Sequence, residues 1–120
     1  MKAGVLLFCM IALSLGVFGQ KGPEAELWNA LDWSLKGATS LHPAAGFVPD
    51  EKTAIKISEA VAIALWGEKQ IAAERPFKAR LRGNVWTIMG TLHPEGSPGG
   101  TAVIKLNRAT GAVVFAIHQQ

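Results

Sequence analysis

Residues 50–92 read DEKTAIKISEAVAIALWGEKQIAAERPFKARLRGNVWTIMGTL, and the apolar spacing in this run changes from a helical to a strand period at Pro76. Before the change, Ile57, Ala60, Val61, Ala64 and Leu65 fall at i, i+3, i+4, i+7 and i+8, which predicts one continuous apolar stripe on a helix. Asp50 is placed to cap that helix, since its carboxylate can accept first-turn amides, and Pro49 disfavours helix before it. Gly67 supplies a stop, and a further turn or two fits between Glu68 and Glu74 before Pro76 forbids continuation. Beyond Pro76, Phe77, Ala79 and Leu81 alternate with Lys78, Arg80 and Arg82, and Gly83-Asn84 is a two-residue turn signal ahead of VWTIMGTL. Pairing across that turn sets Leu81 opposite Trp86, Ala79 opposite Ile88 and Phe77 opposite Gly90, all on one face.

Downstream, Ala102, Ile104 and Leu106 alternate with Thr101, Val103 and Lys105, while Val113, Phe115 and Ile117 alternate with Val114, Ala116 and His118. A four-residue loop from Arg108 to Gly111 predicts Leu106 opposite Val113, Ile104 opposite Phe115 and Ala102 opposite Ile117. The hairpins are joined by HPEGSPGG, whose two prolines and three glycines rule out regular structure. Upstream, Leu27, Trp28, Leu31 and Leu35 predict an amphipathic helix over Glu24–Lys36, with Glu24 and Glu26 favourable at its start and Gly37 at its end. Residues 38–49 hold Gly, Ser, His and two prolines and read as a connecting loop. The fold class expected is α+β: N-terminal helices packed on a four-stranded antiparallel curved sheet, with the helix that Asp50 caps against one face.

The first segment, MKAGVLLFCMIALSLGVFG, carries Lys2, then an apolar stretch, then small or apolar Val17 and Gly19 ahead of a cut before Gln20, the pattern of a secretory signal peptide. The competing reading is a retained anchor, but the uncharged run from Ala3 to Gly19 is at the lower edge of what spans a bilayer. Cleavage would remove Cys9, the chain's one cysteine, leaving no disulfide, thiolate nucleophile or Cys-based metal site. The expected organisation is therefore 1–19 signal peptide, 20–45 lead and helix, and 46–120 α+β domain, in a periplasmic or secreted protein with no membrane association after cleavage. At 120 residues and 49% hydrophobic, the chain has room for one cored domain and not for a multi-domain enzyme. Its formal charge of +3, with 8% aromatic residues, lacks the clustered cations and stacking aromatics of a nucleic-acid binder.

Catalytic and metal-binding candidates are few, and the expectation is no catalytic, metal or cofactor site. His42, His93 and His118 lie far apart, have no carboxylate at ligand spacing, and read as solvated loop or strand-end histidines. Ser34, Ser40, Ser58 and Ser97 lack a nucleophile-elbow sequence, and Asp50-Glu51 is explained by capping. The glycines of GSPGG precede a strand where a phosphate cradle needs a helix. Lys78, Arg80 and Arg82, about 7 Å apart along one strand face, read either as a solubilising edge or as a row meeting an acidic protein partner. With His93 and Glu95 of the following loop they form the candidate partner-binding set. Trp66 at the helix end reads as core in preference to an exposed anchor, because the apolar stripe reaches it.

The run from Gly46 to Gln119 resembles the bacterial immunity-protein family with a nuclear transport factor 2-like, or cystatin-like, fold. The resemblance is carried by GFVPDEKTAIKISEAV, by WGEKQI with Gly67, by RPFKARL, by VWTIMGTL with Trp86 and Gly90, by the Gly99-Gly100 bend and by TGAVVFAIH. Trp66-Gly67 stands where that family tends to have Tyr-Gly, and Ala64 where it tends to have proline. The resemblance implies a small non-enzymatic protein that neutralises a toxin by binding it, and the leader implies that the encounter is at the envelope. An envelope module for an unrelated protein or peptide remains the alternative. A pocket enzyme of the isomerase or dehydratase kind would need a carboxylate or His base in a deep cavity and an oxyanion donor, of which tyrosine, absent here, is the commonest.

Overall fold

The computed structural model describes residues 22–120; the expected signal peptide at 1–19 lies outside the described residues. The chain divides after Ser40 into two compact units. The first holds helix α1, Pro23–Leu35, one residue displaced from the predicted bounds, with proline in the first turn beside Glu24 and Glu26. Proline there loses no helical hydrogen bond, and the two carboxylates face the positive end of the helix dipole.

The second unit runs α2 (Glu51–Trp66), α3 (Glu68–Ala72), β1 (Lys78–Arg82), β2 (Val85–Met89), β3 (Ala102–Asn107) and β4 (Val113–His118). Asp50 caps α2 as predicted: its Oδ1 accepts the Thr53 amide at 2.7 Å. Gly67 ends the helix at φ +91° and ψ 152°, a conformation available to glycine and strained for other residues. The strands form one unclosed antiparallel meander in the order β1-β2-β3-β4. In the first hairpin Leu81 pairs with Trp86 and Ala79 with Ile88, so the predicted register holds.

Two expectations are corrected. The helix stripe predicted through Ile57, Ala60, Val61, Ala64 and Leu65 is turned about the axis, and the buried residues of α2 are Ala54, Ser58 and Ala62. Small side chains let the helix lie close over β1, β2 and β3, whereas Leu65 is 55% exposed. The sequence concealed this because a serine occupies the centre of the buried line. The second hairpin keeps Leu106 opposite Val113, but a bulge follows, so Lys105 pairs with Phe115, Ile104 with Ala116 and Ala102 with His118. Val114 is the extra residue, and Phe115 and Ile117 are turned from the expected core face to the outward one.

The core gathers Val48, Ile71, Phe77, Trp86, Ile88, Ile104 and Leu106, and Trp66 packs half-buried at its edge. Val48 belongs to the stretch read as a connecting loop, yet it is fully buried. Its amide donates to the Arg108 carbonyl at 3.0 Å and Phe47's to Ala109 at 3.1 Å, which ties the loop to the β3–β4 turn. Gly46, at φ +83°, makes this possible: a Cβ there would press on the Arg108 carbonyl oxygen and lie 2.9 Å from Ala109 Cα. Gly46→Ala is expected to lower stability by roughly 2–4 kcal/mol, strain and overlap together, read as an earlier urea midpoint. Ser58 Oγ is buried and has no hydrogen-bond partner among the described residues. Ser58→Ala is expected to leave stability unchanged or raise it by about 1 kcal/mol in the same measurement, since removing an unpartnered buried hydroxyl relieves a desolvation cost.

Candidate functional site

Strand alternation and pairing define the surface opposite α2. Lys78, Arg80 and Arg82 on β1 alternate with half-buried Ala79 and Leu81, which places all three cations on the outward face. Their cross-strand partners are Met89, Thr87 and Val85. On β3 those positions pair in turn with Val103, Lys105 and Asn107. The bulge then adds Phe115 beside Lys105 and Ile117 beside Val103. The resulting face is cationic along β1 and into β3, and apolar along β4.

The lysine ammonium of residue 105 lies 5.6 Å from the Phe115 ring centroid, a cation–π distance that joins the two zones. Lys78 Nζ meets Glu95 Oε1 at 3.8 Å, but both side chains are largely exposed, so the pair contributes little. Among the described residues no carboxylate pairs with Arg80, Arg82 or Lys105. Lys78 and Glu95 also line an open recess of about 310 Å³ with Thr91 and Thr101. His93 does not line it; its Nε2 donates to the Arg75 carbonyl at 2.6 Å, holding the start of the loop against the segment before β1. Of the five predicted partner-binding residues, the fold thus aligns Lys78, Arg80 and Arg82, brings Glu95 to Lys78, and sets His93 apart. The sequence already set Lys105 opposite the core positions of β3 without joining it to the cation row, whereas the outward facing of Phe115 and Ile117 is hidden by the bulge.

A second cluster was not foreseen. Glu74, 5% exposed, follows α3 and reaches the first residue of β3. Its Oε1 accepts the Ala102 amide at 2.7 Å. Its Oε2 accepts from Gln70 Nε2 at 3.0 Å and from His118 Nε2 at 3.0 Å. The histidine is therefore no solvated strand-end residue, and its ring stands edge-on to Trp66 with centroids 5.6 Å apart. Its Nδ1 lies 2.9 Å from the Gln119 carbonyl. Carboxylate and carbonyl oxygens only accept, so both contacts are hydrogen bonds together only on the doubly protonated ring. Gly90 leaves room for this cluster, since a Cβ there would come within 2.9 Å of Glu74 Oε1.

Burial by itself pushes the Glu74 carboxyl up, but the Ala102 amide, Gln70 and His118 outweigh it and hold the group below its ordinary value. A general base needs a free oxygen and a proton affinity near the working pH. Glu74 has both oxygens engaged and the opposite shift, so what the cluster does is fasten the end of β4 to the segment after α3. Beside it Trp66, Gln70, His118 and Gln119 border a wide, open recess.

A capped helix across an unclosed four-stranded antiparallel meander places the second unit among the small α+β rolls. The NTF2 fold immunity protein family matches residues 53–120, more than half of the sequence, and the chain belongs to that family. No curated protein and no solved structure matches it.

Proposed function

We propose that this chain is an exported, non-catalytic immunity protein that neutralises a toxin by binding it directly. The observation that carries the reading is the family match over 53–120, which contains both hairpins and nearly all of α2. Supporting the non-catalytic part, the buried acid among the described residues, Glu74, is occupied by three donors and held ionised. The leader-like segment at 1–19 supports export, and with it a meeting at the periplasm or outside the cell.

The test is co-expression of the full chain with the product of an adjoining toxin reading frame, followed by cell survival and by mass measurement of the chain recovered from the periplasm. Protection, a stable complex and a mature mass beginning at Gln20 are the expected results. Toxin killing undiminished by the chain, or a gene with no toxin frame beside it, would count for an envelope module of another kind. A cytoplasmic, unprocessed chain would remove the export part alone.

A further inference from the structure

We propose that the outward sheet face is the docking surface, and that its partner presents carboxylates next to apolar side chains on a protein surface. The inference rests on the toxin-binding reading for the partner's being a protein, and on the structure for its chemistry. Lys78, Arg80, Arg82 and Lys105 share the face, and none of its strand positions is acidic. Three of those cations have no carboxylate partner among the described residues, so their field is directed to solvent. A matching row of carboxylates would be steered to that half and would fix the orientation of docking.

The other half has a different character. Met89, Phe115 and Ile117 are 48%, 47% and 44% exposed, clustered by the pairing Met89–Val103–Ile117 and Lys105–Phe115. β4 is an edge strand that carries no Asp, Glu, Lys or Arg, unlike β1 at the other edge. The charged edge has the protection that exposed strands ordinarily carry and the apolar edge does not. Four strands at about 4.8 Å spacing put the two zones within one interface footprint. A partner that is only acidic would leave Phe115 and Ile117 wet, and one that is only apolar would bury the cations unpaired. Nucleic acid fits less well, because Phe115 is the one aromatic ring among the face's strand positions and bases need a series of them.

The probe is a 12-residue peptide alternating Glu with Leu and Phe, titrated into the isotope-labelled full chain, with a 12-nucleotide oligothymidylate and phosphatidylglycerol vesicles as the other arms. The peptide is expected to move the amide signals of β1, of Lys105 and of Phe115–Ile117, and to bind more weakly as salt rises. Arg80→Glu with Lys105→Glu should weaken it at least about tenfold and Phe115→Ala severalfold, while Lys52→Glu with Lys56→Glu on the far side of α2 should not. Near-unchanged far-ultraviolet dichroism establishes that each variant is folded. Peptide shifts confined to other surfaces, variants that bind as the parent does, or tighter binding of oligothymidylate or vesicles would each overturn the proposal. The peptide result does not depend on any toxin: a face that binds in this way in a chain that gives no protection would leave the docking surface standing and remove the immunity reading.

Discussion

Trp86→Ala is expected to lower unfolding stability by roughly 3–5 kcal/mol, the cost of removing a large buried aromatic side chain. Trp86 is 5% exposed at the centre of the sheet, paired with Leu81 on one side and Leu106 on the other. Its loss also breaks the 2.8 Å hydrogen bond from the indole Nε1 to the Val48 carbonyl, which holds the loop before α2 onto the sheet. Small domains have a net stability of about 5–15 kcal/mol, so the variant should be partly unfolded well below the parent's melting temperature. Trp86→Phe separates the two contributions. It keeps most of the ring but leaves a buried carbonyl unpaired, and should cost about 1–3 kcal/mol. A melting temperature unmoved by Trp86→Ala would mean that the residue does not sit in the core and that the β1–β2 register is wrong.

Glu74→Ala should be nearly as damaging, at roughly 2–4 kcal/mol, because it strands the buried Ala102 amide and takes the carboxylate from His118. Glu74→Gln should cost less, since its amide oxygen can still accept from Ala102. The pH dependence has a definite sign. The carboxyl of Glu74 titrates below its ordinary value of 4.5 in the folded chain, so the unfolded state binds protons more readily. The stabilisation is therefore present above pH 4.5 and is lost as pH falls through the depressed folded value. Urea midpoints between pH 6 and pH 3 should fall for the parent more than for Glu74→Gln. Equal acid sensitivity of the two would show that Glu74 is not ionised and clasped in the native state.

The family assignment and the fold class were legible because they rest on local signals. Asp50 three residues before an amide it can cap, Gly67 after sixteen helical residues, and Gly83-Asn84 between alternating runs all act within a few residues of themselves. The cations of β1 were legible for the same reason, since strand geometry alone sends Lys78, Arg80 and Arg82 to one side. The apolar half of the outward face was not. The segment Val113–Ile117 is apolar at every position, so period-two alternation cannot choose which set faces the core.

Sequence by itself determined the capped helix, the helix-then-strand order of elements along the chain, and the first hairpin's register, because short-range sterics and hydrogen bonds suffice for each. Only the tertiary structure decided which side of α2 is buried, where β4 shifts its register, and that His118 ends beside Glu74, 44 residues away. Those outcomes depend on how closely small residues let the helix approach the sheet, and on a buried carboxylate needing donors that only distant parts of the chain can bring.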